Sequence, residues 1–326
     1  MAELELILAA PRGYCAGVDR AVETVERALE LEGKPVYVRK QIVHNIHVVR
    51  DLETRGAIFV DDVVEVPAGA TVVFSAHGVA PTVHEDAAAR HLNVIDATCP
   101  LVTKVHSEAK RYDTRGYHML LIGHEGHEEV VGTMGEAPQA MTLVETESDV
   151  ANLPDFPESQ PLAFLTQTTL SVDETRGIIA ALKVRYPWIH SPVKEDICYA
   201  TSNRQAAVKA LAAEAELVLV IGSANSSNSC RLVEVAREYG ADSHLIEDET
   251  EIDPAWIVGR TRVGLTSGAS APERLVRGVI GWFEANHTVS AVTELETVHE
   301  DVSFNLPRPI RRALAVIDAS GTAAKE

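Results

Sequence analysis

The chain has 326 residues, 46% hydrophobic and 24% charged, an ordinary globular composition with room for about two to three domains. Its 29 basic and 48 acidic residues leave a net charge of −19, which disfavours non-specific binding to nucleic acid or to anionic membranes. No apolar run nears the ~20 residues that span a bilayer, and four cysteines are too few for a disulfide scaffold, so the expected compartment is the cytoplasm and the expected use of the thiols is metal binding or catalysis.

The N-terminal run ELILAA reads as a strand over 3–10 and leads into the loop PRGYCAGVDRA, which carries Cys15. A segment of helical period, VDRAVETVERALELEG, follows and stops at Gly33. Short β-rich runs then alternate with helical segments: PVYV, AIFV, TVVF, NVID, HMLLIG, MTLV, LAFLT, ELVLVIG, SHLIE and RVGLTS. That alternation predicts parallel sheets with helices outside, and Gly33, Gly116 and Gly240 are expected helix-ending caps.

Cys15, Cys99 (in DATCPLVTKV) and Cys198 (in EDICYATSNRQ) each lie in a polar loop between an apolar run and a helical segment. They divide the chain into α/β units expected at 15–98, 99–197 and 198–285, with the 3–10 strand joining one unit's sheet. Residues 286–326 form a tail in which VSFNLP is an expected edge strand and SGTAAKE an expected disordered end. Ligands of open α/β sheets bind at the carboxyl ends of the strands. Three thiols presented there point to a soft-metal or iron–sulfur site. Cys230, at the start of RLVEVAREYG, reads as a small packing residue instead.

Histidines recur at equivalent points of the strand–helix pattern: His44 in QIVHNIHVV, His77 in FSAHGVAP and His127 in IGHEGHEEVVGTMGE. One such histidine is ordinarily a cap or a packing residue; three beside three cysteines weaken that reading. His124 and His127 lack the spacing of a HExxH zinc motif. Glu129 is either a first-turn carboxylate favoured by the helix dipole or a proton donor. The loop IGSANSSNSCR, with Ser226, Ser227 and Asn228, offers hydroxyls and amides at a helix start, a cradle for an oxyanion or phosphate. SGASAPE repeats the design with Ser270. No GxGxxG and no GxxxxGK[ST] is present, so NAD and ATP binding lack support.

Taken in order, PRGYCAGVDRA, HNIHVV, FSAHGV, DATCPLV, GHEGHEEVVGTMGE, TQTTLSVDET, DICYATSNRQ, GSANSSNS and GASAPE closely resemble the 4-hydroxy-3-methylbut-2-enyl diphosphate reductase family, IspH or LytB. The resemblance implies a trefoil of three small parallel-sheet α/β units around a central [4Fe–4S] cluster. Cys15, Cys99 and Cys198 match its ligands, with one iron open to substrate and a [3Fe–4S] form expected when that iron is lost. It places His44, His77, His127, Ser226, Ser227, Asn228 and Ser270 around the diphosphate substrate. Glu129 and Thr168 match the pair that serves the substrate hydroxyl and its protonation. The implied reaction is reductive dehydroxylation to isopentenyl and dimethylallyl diphosphate, the last step of the methylerythritol phosphate route, with a ferredoxin or flavodoxin as electron donor. Two departures stand out: Glu128 where the family often has Pro, and Cys230 outside the family pattern. The rival readings are a zinc-dependent hydrolase, which would be colourless and free of sulfide, and a non-catalytic iron–sulfur sensor, which needs no phosphate cradle.

Overall fold

The structure, a computed structural model, describes residues 3–323. The first third runs β1 (Leu4–Ala10), α1 (Ala16–Glu32), β2 (Val36–Arg39), α2 (Ile46–Arg55), β3 (Ala57–Val60), β4 (Thr71–Phe74), α3 (Pro81–Ala89) and β5 (Asn93–Asp96). Then follow α4 (Pro100–Thr114), β6 (His118–Ile122), α5 (Glu128–Met134), β7 (Met141–Val144), α6 (Glu147–Asn152), β8 (Leu162–Thr166) and α7 (Val172–Arg185). The last third holds α8 (Tyr199–Ala212), β9 (Leu217–Ile221), α9 (Ser227–Glu238), β10 (Asp242–Ile246), β11 (Arg262–Ser267), α10 (Glu273–Asn286), β12 (Val289–Glu296) and α11 (Arg308–Ala323).

The strands form three sheets, of order β10–β9–β11–β1–β12, β3–β2–β4–β5 and β7–β6–β8. In the first two sheets every neighbouring pair is parallel. By packing, the chain divides into two compact units: 1–15, 44–46 and 144–302 in one, 16–43, 47–143 and 303–326 in the other.

In the first unit the five-stranded sheet is apolar on both faces. Leu6, Leu8, Leu219 and Leu265 pack with Val276 and Phe283 of α10 on one side. Ile7, Ala9, Val218 and Val220 pack with Val208 and Leu211 of α8 and Val233 of α9 on the other. Odd and even residues of β1 and β9 thus enter different cores, as expected for a parallel sheet covered by helices, where the strand reads as a continuous apolar run. In the second unit Val72 and Phe74 of β4 pack with Val60, Val79, Ala87 and Leu92. Gly33, Gly116 and Gly240 follow helix ends with φ of 76°, 75° and 94°, left-handed caps that other residues adopt at a cost.

The tail differs from expectation. The edge strand is β12, parallel to β1, while VSFNLP (302–307) contains no strand. β12 is held by its parallel pairing with β1 from Leu4 to Ala10, whereas in VSFNLP the Asn305 carbonyl is taken by the Arg20 side chain at 2.7 Å and Pro307 has no N–H for a ladder. SGTAAKE begins inside α11, which runs to Ala323; residues 324–326 lie outside the described residues.

Candidate functional site

In the first unit, Cys15 stands directly before α1, and Cys198 is the N-cap of α8. In the second, Cys99 is the N-cap of α4. A thiolate is the form in which cysteine binds metal. None of the three is in a disulfide, and all are half-buried. The Cys198 sulfur also accepts the Thr201 amide at 3.4 Å and lies 3.1 Å from the Thr201 hydroxyl. This donor set suits an iron–sulfur cluster. Cys230 does not fit it: its thiol donates to the Ala224 carbonyl at 3.2 Å, and burial pushes it up from the ordinary thiol range, towards the protonated form. Among the described residues no three His, Cys, Asp or Glu side chains form a group able to hold one metal ion.

Each cysteine amide is tied to the loop that carries another site residue. Cys15 N–H donates to the carbonyl of Ala269, beside Ser270, at 3.3 Å. Cys99 N–H donates to Ala76, beside His77, at 3.0 Å, and Cys198 N–H donates to Thr168 itself at 3.0 Å.

In the first unit, hydrogen bonds join the set of loops that carry His44, Thr168, Ser226, Ser227, Asn228 and Ser270. The Ser270 hydroxyl donates to the His44 carbonyl at 2.9 Å, and the Asn225 amide lies 3.5 Å from His44 Nδ1. The Ile46 amide donates to the Ser223 hydroxyl at 3.3 Å, which fixes the strand-end turn after His44. Ser227 donates to the Thr169 carbonyl at 3.4 Å and lies 3.5 Å from the Gln167 amide, joining the loop before α9 to the Thr168 loop. Burial holds the His44 imidazole neutral, pulling its pKa from the usual histidine value down to about 4.

Within that set the serines differ. The Ser226 side chain is spent as the N-cap of α9, accepting the Ser229 amide at 3.3 Å. Asn228 is only 5% exposed, yet neither atom of its amide has a hydrogen-bond partner. Buried polar groups are nearly always paired, so two orphan atoms on one side chain set Asn228 apart from the serines around it. A Cβ on Gly222 or on Gly268 would strike the Ser229 side chain, so the loops after β9 and β11 pack at a distance only glycine permits.

In the second unit, His127 is the N-cap of α5; its Nδ1 accepts the Glu129 amide at 3.2 Å. The His77 and His127 rings meet edge to face with centroids 6.0 Å apart, and Ser75 Oγ lies 3.2 Å from His77 Nδ1. Glu129 is 2% exposed, which separates it from the solvated carboxylates usual in a first helical turn. Glu128 turns the other way, to Arg39 at 3.5 Å and Lys40 at 4.0 Å, so its extra charge is met by two cations. It occupies the first position of α5, where proline is also well suited.

Sequence reading passed over Gln167 and Thr169, which help join the loops, although both lie within a motif already singled out. It also passed over Arg204, whose long-range partners leave no local pattern.

The LytB protein family matches the chain over residues 6–284. The 4-hydroxy-3-methylbut-2-enyl diphosphate reductase of Corynebacterium glutamicum is 57% identical over 309 residues, covering 94% of this chain and 95% of its own. That of Mycolicibacterium vanbaalenii is 59% identical over 309 residues, covering 94% and 91%. The solved structure of the E-1-hydroxy-2-methyl-but-2-enyl-4-diphosphate reductase from Plasmodium falciparum superposes with a TM-score of 0.93 at 37% identity, covering 97% of this chain and 99% of that one.

Proposed function

We propose, for a chain that belongs to the LytB protein family, that it reduces 4-hydroxy-3-methylbut-2-enyl diphosphate to isopentenyl and dimethylallyl diphosphate as the last step of the methylerythritol phosphate route. The observation that carries this reading is the shared build of the three thiol loops: a cysteine outside any disulfide at a helix start, its amide bonded to a loop that bears a candidate substrate contact.

Cys15, Cys99 and Cys198 would hold a [4Fe–4S] cluster through three thiolates. When bound, the cluster supplies a Lewis-acidic iron without a protein ligand and passes on two electrons one at a time. The remaining work belongs to the chain's own side chains. The C4–O bond breaks: one proton goes to the leaving oxygen, which departs as water, while two electrons and a second proton form a C–H bond, at C4 for dimethylallyl and at C2 for isopentenyl diphosphate. Hydroxide is a poor leaving group, so a proton must reach that oxygen as the bond breaks. The Glu129 carboxyl is the proposed source, shielded from water by its burial, and the Thr168 hydroxyl is the proposed relay that orients it. For the diphosphate, the unsatisfied Asn228 amide offers an N–H donor, with Ser227 and Ser270 beside it. His44, His77 and His127 complete the polar set; a neutral His44 acts as a hydrogen-bond donor rather than as a cation.

Single-electron delivery calls for a ferredoxin or flavodoxin as partner. No helix among the described residues is long and apolar enough to cross a membrane, and the charge of −19 argues against a nucleic-acid partner; a cytoplasmic location accords with both. The test is iron and acid-labile sulfide analysis of anaerobically purified protein, joined to single-turnover reduction of the substrate with a one-electron donor. About four irons and four sulfides per chain with allylic product formation are expected. Colourless protein with zinc and no sulfide would overturn the reading in favour of a hydrolase. A cluster-bearing protein that fails to bind diphosphates would overturn it in favour of a sensor.

A further inference from the structure

Arg204 is the largest side chain that the fold shuts away from solvent completely. It lies on α8, in the second turn after Cys198. Its Nε and Nη2 donate to the Gly13 carbonyl at 3.2 and 2.7 Å, and Nη2 reaches the Tyr14 carbonyl at 3.5 Å. Nη1 donates to the Ala200 carbonyl at 3.1 Å and pairs with Glu300 at 3.1 Å. Gly13 and Tyr14 are the residues just before Cys15, and Ala200 lies in the helical turn that Cys198 caps. One buried cation therefore grips the approach to one thiol and the helix start beneath another.

A buried guanidinium is costly unless its charge and its donors are met. Four of the contacts go to three carbonyl oxygens; among the described residues the one negative charge among the partners is Glu300, which also takes the Asn203 amide at 3.0 Å. Glu300 lies outside the region matched by the family, which ends at 284. The segment that delivers it is fastened to the same loop at two earlier points. Glu294 pairs with Arg12 at 2.8 Å, and Thr297 donates to the Ala10 carbonyl from its amide at 3.0 Å and its hydroxyl at 3.1 Å. Side chains three residues apart, at 294, 297 and 300, thus hold 10–14 along their length.

We propose that Arg204 and Glu300 are a positioning pair that fixes the Cys15 loop against the Cys198 helix, with residues 294–300 as a strap over that loop. The proposal rests on the reading of Cys15 and Cys198 as cluster ligands. A rigid fork with several donors suits this role, and a lysine, with one compact ammonium, cannot span the Gly13, Ala200 and Glu300 oxygens at once.

The test compares the parent with Glu300→Gln, Thr297→Val and Arg204→Lys. In anaerobically loaded protein, the rate of cluster bleaching under a chelator is read. In the apoprotein, iodoacetamide labelling of Cys15 and Cys198 is followed by mass spectrometry, with Cys230 as internal reference. Loss of a partner behind a metal ligand typically weakens metal holding about 10–100-fold. Bleaching at least about tenfold faster is expected for Glu300→Gln, with faster labelling of Cys15 and unchanged labelling of Cys230. Arg204→Lys should behave likewise, and if it does not fold, Glu300→Gln and Thr297→Val still decide. Parent-like bleaching together with parent-like Cys15 labelling in those two variants overturns the strap. Cys15→Ser serves as control: full iron retention there would refute the ligand assignment, and the apoprotein labelling would still judge the strap by itself.

Discussion

The amide of Cys198 donates to the carbonyl of Thr168 at 3.0 Å, so a thiol at the start of α8 and a hydroxyl in the loop after β8 cannot move independently. The other two thiol loops repeat the bond, Cys15 to Ala269 and Cys99 to Ala76. In each case the acceptor is, or adjoins, a residue assigned to the substrate. On the proposed assignments, a change that displaces one of these thiols also disturbs a loop assigned to the substrate, through a backbone hydrogen bond.

Replacing Cys15, Cys99 or Cys198 with Ser should bleach the brown colour and abolish turnover, because an alkoxide is a poor substitute for thiolate at an iron–sulfur centre. Cys230→Ser should keep the colour, since that thiol is directed at the Ala224 carbonyl. Iron and sulfide content with the visible spectrum checks this. Full retention in any of the first three variants would remove that residue from the ligand set.

Asn228→Ala should weaken diphosphate binding while leaving stability unchanged or raised. The free protein leaves both atoms of this buried amide unpartnered, so removing it deletes no internal bond and relieves a desolvation cost of roughly 1–3 kcal/mol. With ligand bound the same amide is paired, and its loss should cost about 1–2 kcal/mol, or roughly 5–30-fold in affinity. Isothermal titration with inorganic diphosphate, paired with thermal melts, separates the two effects. A fall in melting temperature with unchanged affinity would show an internal packing role instead.

His44 makes the apoprotein sensitive to acid. Its folded pKa is depressed by burial from 6.5 to about 4, so between those values the unfolded chain takes up a proton that the folded chain refuses. Stability from this group is therefore complete above its unfolded pKa and declines as pH falls towards 4. At pH 5 the loss amounts to at most about 2 kcal/mol. Urea unfolding of the parent and His44→Gln at pH 7 and pH 5 measures it. The variant should lose less stability on acidification, and equal losses in the two proteins would show that His44 is not the responsible group.

Much of the fold was legible because a doubly covered parallel sheet writes each strand as a bare apolar run. All ten runs from PVYV to RVGLTS became strands, β2 to β11. β12 was not legible: mostly exposed, it carries Thr, Ser and Glu in place of an apolar run, and it is held by β1 along the sheet edge. The thiols and polar loops stood out through repetition at one point of the strand–helix unit. Ser226 reads the same as Ser227 in a serine-rich loop, and only the helix start shows that its hydroxyl is a cap. Arg204 carries no local signal: its burial depends on carbonyls about 190 residues earlier and a carboxylate 96 residues later, a relation that no local window contains.

Glu129→Gln should bind the diphosphate substrate nearly as well as the parent and turn it over very slowly. Glutamine keeps the size, and the His127 acceptor that receives the residue 129 amide is untouched, so the start of α5 stays in place. What is lost is the proton that lets the C4 oxygen leave as water, and removing a positioned acid typically costs about 10²–10⁴-fold in rate. His127→Ala should differ, because it removes the N-cap of α5 together with a polar contact, and both affinity and rate should fall. Substrate titration against single-turnover rate in the two variants makes the distinction. Parent-like turnover in Glu129→Gln would assign the proton to another donor and leave Glu129 as a buried helix-start carboxylate.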